Sequence, residues 1–117
     1  MNMTGQLQTS RKMTFAEFWP RYLDAHRKPA TRAAHYLAIA VGLASATAAV
    51  YYTRPMLMLE GLILAIALAV GSHWLIERNQ PLIRVNALYG AIAVFRMCWL
   101  DLTGALRTEY RRLGLMD

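Results

Sequence analysis

Two long apolar runs joined by a very short connection constrain this chain more than any other feature of its sequence. The first run, Tyr36–Thr53, contains eighteen residues without a charge. As a helix it would extend about 27 Å, close to the hydrocarbon thickness of a bilayer. The second run, Met56–Ile76, is interrupted only by Glu60, and Arg54 and Pro55 leave room only for a tight turn between the runs. The sequence therefore predicts an antiparallel helical hairpin that crosses a membrane.

The composition supports a membrane protein of one domain. With 117 residues, of which 56% are hydrophobic, the chain is too apolar for an ordinary small soluble fold. The net charge of +6 would suit nucleic acid, but the basic residues lie beside apolar runs, so we expect no nucleic-acid partner. Cys98, the single cysteine, excludes an intramolecular disulfide and is interpreted as a core residue. Residues 1–13 are expected to form a flexible leader, and residues 14–117 a single helical membrane domain.

Further helices are predicted on both sides of the hairpin, which makes the fold class all-α. Thr14–Glu17 has the form of a capping box, so an amphipathic helix should begin at Thr14, and Pro20 should kink or delay it. Its aromatic face suits either a helix lying in the membrane interface or a cover packed on the other helices. Asn86 should cap a last helix that runs through Leu113. We expect this helix to be re-entrant, tilted or interfacial rather than spanning, because a full span would place its final arginines against the positive-inside tendency.

All three histidines are predicted to meet at one end of the hairpin. Arg54 lies nineteen residues after His35 and nineteen before His73, so an equal helical rise returns both histidines to the same depth. Pro29 disfavours helical geometry at the residue before it, and a turn there lets His26 fold back toward His35. Most basic residues flank this end, so we expect it to face the cytoplasm, at a bacterial inner membrane or the endoplasmic reticulum.

The candidate site at this end consists of three histidines and one carboxylate. Glu77 follows His73 by four residues, which places both side chains on one face of a helix. Neutral imidazole suits iron or zinc, and an added carboxylate gives the ligand types of non-haem Fe(II) oxygenases. Simpler alternatives are a helix-end ion pair for His73, a cap or anchor for His35, and a solvated interfacial residue for His26. Haem held by two histidines is less favoured, because His35 and His73 lie at the membrane edge.

Arg96 stands in the middle of the last apolar segment, where exposure to lipid would be costly. One interpretation makes it a buried partner of Asp101 or Glu77. The other makes it an anchor for a substrate carboxylate, which its planar fork matches bidentately.

Two short motifs lie at the histidine end of the hairpin. The segment His26–His35 reads H-R-K-P-A-T-R-A-A-H, and His73–Pro81 reads H-W-L-I-E-R-N-Q-P. They resemble the H-x-x-P-x-N-R-x-x-H and H-x-x-x-E-x-N-x-P motifs of a family of small membrane proteins associated with 2-hydroxy fatty acid dioxygenases. Thr31 stands where that family usually has Asn, and Ser72 intervenes between Gly71 and the histidine. The resemblance extends over about residues 15–113.

This resemblance implies an Fe(II)-dependent enzyme of lipid α-oxidation, which uses O2 to shorten a long-chain 2-hydroxy fatty acid by one carbon. It implies that His26, His35 and His73 bind the metal, and the spacing extends this assignment to Glu77, as a fourth ligand or as a group that orients the ligands. Arg96 is then the candidate carboxylate anchor. The expected partners are the 2-hydroxy fatty acid, O2 and membrane lipid, and a homo-oligomer is a further expectation.

A non-enzymatic membrane subunit, which binds lipid or assembles into a complex, is the alternative class. Its histidines would be interfacial polar residues, and the small-residue face of Tyr36–Thr53 would be its partner surface. Replacement of His35 and His73 by Gln would leave such binding intact, whereas an enzyme would lose its metal.

Overall fold

The computed structural model describes residues 12–115, and all regular structure within this range is helical. The predicted all-α class is therefore confirmed, and the predicted leader, residues 1–13, lies outside the described residues except for positions 12 and 13. A π-helical turn, His73–Glu77, follows the third helix, and a short 3-10 turn, Leu82–Arg84, precedes the fourth. The α-helices are α1 (Phe15–Asp24), α2 (Pro29–Tyr51), α3 (Met56–Ser72), α4 (Ala87–Leu102) and α5 (Leu106–Arg112).

Helices α2 and α3 form the antiparallel hairpin. Helix α2 and the continuous helical segment Met56–Glu77 are both long and apolar enough to cross a membrane, and only 17% of the apolar window of either is buried within the protein. A core helix of a soluble protein would be mostly buried, so this exposure suggests membrane association. Gly61 of α3 lies so close to α2 that a Cβ at this position would overlap the Ser45 side chain. The small-residue face of α2 thus packs against the second arm.

Helix α1 is a cover packed on the other helices. Thr14 forms the predicted capping box, in which its hydroxyl accepts a hydrogen bond from the Glu17 backbone N–H at 3.2 Å. The helix begins at Phe15 and continues through Pro20, which therefore does not delay it. The aromatic face of α1 is buried in a core that it forms with α4 and α5, composed of Phe18, Trp19, Tyr22, Leu23, Ala93, Met97, Leu106 and Tyr110.

The last helix is not continuous to Leu113, as the sequence predicted. Asn86 caps α4 by accepting from the Tyr89 N–H at 2.9 Å, but α4 ends at Leu102. Gly104 then adopts a φ of 78°, and the Ala105 N–H donates to the Leu100 carbonyl at 2.8 Å, which is the Schellman termination of a helix.

Helix α5 folds back toward the histidine end of the hairpin. The Tyr110 hydroxyl lies 2.9 Å from the His26 carbonyl oxygen, toward which it donates. This contact places α5 near the basic end of the hairpin. Neither α4 nor α5 is among the candidate spans of the described residues, and the re-entrant, tilted or interfacial course of the last segment stays a prediction.

Candidate metal centre

Three elements each bring one histidine to the same place. His26 lies in the connection between α1 and α2, where Lys28 is extended (φ −80°, ψ 131°) and Pro29 begins the next helix as predicted. His35 follows in the second turn of α2. His73 begins the π turn at the end of the second arm. The equal arms of the hairpin and the break before Pro29 thus bring together the residues that the sequence analysis proposed to meet.

The histidine cluster, His26, His35 and His73, is compact and buried. Its ring centroids are 4.4, 4.4 and 5.0 Å apart, and its nearest ligand nitrogens all lie within 4.8 Å of one another. The exposed fractions of the three residues are 0%, 5% and 2%. Tyr22 covers the cluster from α1 by stacking on the His26 ring at a centroid distance of 4.0 Å.

Hydrogen bonds fix the same tautomer on all three rings. Nδ1 of His26 lies 2.5 Å from the Tyr22 carbonyl oxygen, and Nδ1 of His35 lies 2.8 Å from the Thr31 carbonyl oxygen. Since a carbonyl oxygen only accepts, each Nδ1 carries the proton and donates it. His73 places Nδ1 2.7 Å from the Asn79 side-chain oxygen. In the neutral rings, all three Nε2 atoms therefore keep a free lone pair.

Asn79 is a residue of the site that the sequence analysis did not single out. Its amide nitrogen donates to the Ala25 carbonyl at 3.0 Å, which orients the amide oxygen toward His73. The same side chain thus connects the segment after the π turn to the His26 connection. The asparagine of the second motif was the signal that could have identified it, but its target could not be read from spacing along the chain.

The cluster has an electrostatic conflict that a metal ion would resolve. Nε2 of His26 lies 3.1 Å from Nε2 of His35, although both Nδ1 protons are donated elsewhere. Burial first, and then the charge that His35 would carry, lower the pKa of His26 to about 2, so this ring is neutral near pH 7. Two lone pairs that face each other repel unless a cation lies between them. The donor set, three neutral imidazoles with oriented Nδ1–H groups, is the form in which histidines bind metals.

Glu77 is placed at the start of α2. Its carboxylate accepts from the backbone N–H groups of Arg27 at 2.7 Å and Lys28 at 3.2 Å, and from the Thr31 hydroxyl at 2.6 Å. A carboxylate at a helix N-terminus satisfies free backbone donors and interacts favourably with the helix dipole. Both carboxylate oxygens are therefore engaged by donors at the start of α2.

Thr31 occupies the position where the related motif has Asn, and it performs two tasks at once. Its hydroxyl donates to Glu77, and its carbonyl accepts from Nδ1 of His35. The residue is fully buried. Glu77 thus acts on His35 through Thr31, whose hydroxyl it binds and whose carbonyl accepts from the ring.

Arg96 lies away from the histidines and from the predicted partners Asp101 and Glu77. Its guanidinium is 3.6 Å from the Glu109 carboxylate and stacks over the Trp19 ring at 4.5 Å. The prediction of its partner was wrong because α4 ends before Gly104 and α5 folds back, which brings Glu109 beside α4. Asp101 instead accepts from the Tyr36 hydroxyl at 2.7 Å.

An apolar cavity of about 380 Å³ opens from the histidines into the space between α2, α3 and α4. Tyr22, His26, His35 and His73 supply its polar end. Its remaining lining comes mainly from aliphatic side chains and small residues, including Ile39, Gly42, Leu62, Ala65 and Ile66. Arg96 does not line it, although Phe95 does. A ligand with one polar end and a long apolar chain fits such a site.

The model of one protein family matches residues 12–106, and its description is 2-hydroxy-palmitic acid dioxygenase Mpo1-like. The matched region contains all three histidines, Glu77 and Asn79, and it ends before Glu109. No curated protein and no solved structure matches the chain.

Proposed function

The chain belongs to the 2-hydroxy-palmitic acid dioxygenase Mpo1-like family, and on this premise we propose that it is an Fe(II)-dependent dioxygenase. Its reaction shortens a long-chain 2-hydroxy fatty acid by one carbon with O2. The family description supports the substrate class. The observation that carries the metal-dependent part is the 3.1 Å approach of two unprotonated Nε2 atoms, those of His26 and His35, in a buried cluster.

His26, His35 and His73 would hold the iron through Nε2. The chemistry that iron supplies when bound there is reaction with O2 and coordination of the two oxygens of a 2-hydroxy carboxylate. The carbonyls of Tyr22 and Thr31 and the amide oxygen of Asn79 keep the three rings oriented by accepting their Nδ1 protons. Such acceptors also raise the basicity of a ligating imidazole.

Glu77 is a positioning residue in this proposal. Its two oxygens already accept hydrogen bonds from the beginning of α2, and the group of potential ligands that lie within 4.8 Å of one another contains the three histidines. The role of Glu77 as a fourth ligand stays a prediction from its spacing. We favour the positioning role, because the carboxylate holds the His26 connection and Thr31 in place.

The apolar cavity would hold the alkyl chain of the substrate. Its polar end places the 2-hydroxy carboxylate beside the histidines, and its aliphatic walls extend between the two arms of the hairpin. Burial of the three imidazoles excludes bulk water from the reacting end and so protects reactive species from side reactions. The carboxylate-anchor role of Arg96 stays a prediction, and its contacts with Glu109 and Trp19 lead us to favour a structural role.

The hairpin would cross the membrane with the histidine end on the cytoplasmic side. Basic residues are concentrated at that end, whereas only Arg54 marks the turn at the other. This asymmetry follows the positive-inside tendency of short loops. Arg27, Lys28, Arg32, Arg78 and Arg84 are the basic residues that lie next to the ends of the arms.

Metal analysis coupled to oxygen uptake tests the proposed function. Purified protein, loaded anaerobically with Fe(II), should retain about one iron per chain and consume O2 when 2-hydroxypalmitate is added. Arg54→Gln, at the far turn, is the matched control and should behave like the wild type. Absence of retained iron together with absence of oxygen uptake would contradict the proposal and favour a non-enzymatic lipid-binding subunit.

A further inference from the structure

A second cleft is lined by Arg32 and Tyr110, both of which donate to the backbone carbonyl of His26. It has a volume of about 330 Å³ and contains three arginines, which come from three different parts of the chain. Arg27 belongs to the His26 connection, Arg32 to the first turns of α2 and Arg107 to α5. Asp101, Leu106, Tyr110 and Leu115 complete the lining. In contrast to the apolar cavity, this cleft has charged walls.

The charges in the cleft do not balance. Asp101 is its only acidic lining residue, and it already accepts from the Tyr36 hydroxyl and lies 3.9 Å from Nε of Arg32. Asp24 pairs with Arg27 outside the lining. The Arg107 side chain forms no hydrogen bond or ion pair with another residue in the range that the structure describes. Among the described residues, the cleft therefore retains positive charge that no carboxylate neutralises.

Arg32 supplies an unsatisfied donor within this cleft. Its Nη1 donates to the carbonyls of His26 at 2.9 Å and Arg27 at 2.7 Å, which holds the guanidinium in place. Its Nε is buried and is the one buried side-chain nitrogen or oxygen in the described residues without a hydrogen-bond partner. A buried donor of this kind is costly unless a ligand satisfies it.

The position of the cleft relative to the hairpin limits the class of ligand that it can bind. Arg32 lies in the first turns of α2, which is a candidate span, so the cleft sits where that span would leave the hydrocarbon. Basic pockets at this depth face lipid headgroups. A guanidinium matches two oxygens of a phosphate group, and several arginines around one anion reinforce one another.

We propose that the cleft formed by Arg27, Arg32 and Arg107 binds a phosphate group. An anionic phospholipid headgroup and free inorganic phosphate share this chemistry. Arg107 would approach the anion from α5 while Arg32 holds it from α2, so that occupation of the cleft would fasten α5 to the hairpin. The proposal does not depend on the proposed enzymatic activity.

Arg107→Gln is the informative variant, because this side chain has no partner among the described residues and its loss should leave the fold intact. Arg111→Gln, on the same helix and of the same charge but outside the lining, is the matched control. Thermal unfolding of the full-length protein in an uncharged detergent is measured at constant ionic strength against increasing inorganic phosphate, and separately against short-chain phosphatidylglycerol.

Saturable stabilisation by either ligand, weakened about tenfold or more in Arg107→Gln and unchanged in Arg111→Gln, is the expected result. A response to phosphatidylglycerol alone identifies the headgroup as the source, and a response to inorganic phosphate alone identifies the free anion. Absence of saturable stabilisation by both ligands would overturn the proposal. An equal loss of stabilisation in Arg107→Gln and Arg111→Gln would also overturn it. Such a result would show that the ligand responds to the net charge of the protein and not to a defined site.

Discussion

Two polar clusters contact side chains of α1, and they differ in whether the protein alone satisfies their hydrogen-bonding atoms. In the first, the Glu109 carboxylate is satisfied by the protein alone: it accepts from the Trp19 indole N–H at 2.7 Å and from the Arg112 guanidinium at 2.7 and 2.8 Å, with Arg96 nearby. In the second, the histidine cluster, every Nδ1–H is satisfied but the Nε2 atoms face one another. A cluster that is complete stabilises a fold, whereas a cluster that is incomplete requires a ligand.

This difference predicts opposite responses to the loss of one member. His35→Gln should abolish iron retention and lower oxygen uptake at least about a thousandfold, because two imidazoles no longer define an open three-nitrogen site. The thermal stability of the metal-free variant should not fall, since the repulsion between two facing lone pairs is removed. Iron content, oxygen uptake and unfolding temperature are measured on the same preparations.

A metal-free variant that unfolds well below the wild type would show that His35 has mainly a structural role. Retention of iron by His35→Gln would remove this histidine from the proposed ligand set. Either result would contradict the proposed difference between a structural Glu109 cluster and a metal-binding histidine cluster.

Asn79→Ala should weaken iron binding about 10- to 100-fold without abolishing it, because the ring of His73 loses the acceptor that fixes its tautomer. Asn79→Asp keeps an acceptor for His73 but loses the donor to the Ala25 carbonyl, so it should retain more affinity than Asn79→Ala and less than the wild type. Titration of the metal-free protein with Fe(II) under anaerobic conditions measures the iron affinity of both variants. Equal behaviour of the two variants would mean that the 2.7 Å contact does not orient the ligand.

Glu109→Gln should lower stability while leaving iron affinity unchanged. The variant loses the charge that Arg112 and Arg96 face, and hydrogen bonds to charged groups contribute more than neutral ones. Since both arginines are about half exposed, we expect a loss of about 1–2 kcal/mol. Unfolding of the metal-free protein tests this, with Glu60→Gln, at an exposed position near the hairpin turn, as the control. A loss of iron affinity in Glu109→Gln would link two clusters that the structure keeps apart.

The histidine cluster could be predicted from the sequence to a large extent, because its position follows from distances along regular helices. His35 and His73 are equally far from Arg54, and helical rise is constant, so their meeting requires no knowledge of packing. Pro29 predicts the break between α1 and α2 that allows His26 to lie beside His35. The capping box at Thr14 likewise depends on residues within one turn.

The Glu109 cluster could not be predicted in this way, because it depends on the direction that the chain takes after α4. Gly104 is visible in the sequence, but its left-handed conformation, and hence the return of α5 toward α1, is decided by the packing of Leu106 and Tyr110 in the core. The partner of Arg96 therefore could not be identified. The π turn also leaves no pattern in His73–Glu77 that distinguishes it from an α-helix.

The smallest expected effect is a loss of stability at acidic pH. It distinguishes the two clusters because, of their members that titrate in acid, only the Glu109 carboxylate is stabilised in its charged form. Hydrogen bonds from Arg112 hold the pKa of Glu109 down to about 2, below its ordinary value of 4.5, with Trp19 contributing as a second donor. Since the folded-state pKa is the lower one, its stabilisation is fully present above about pH 4.5 and is lost as the pH falls toward 2. The difference in unfolding temperature between the metal-free wild type and Glu109→Gln should therefore be constant from pH 7 to 5 and narrow between pH 4.5 and 3. A difference that stays constant down to pH 3 would mean that the carboxylate charge is not what Arg112 and Trp19 stabilise.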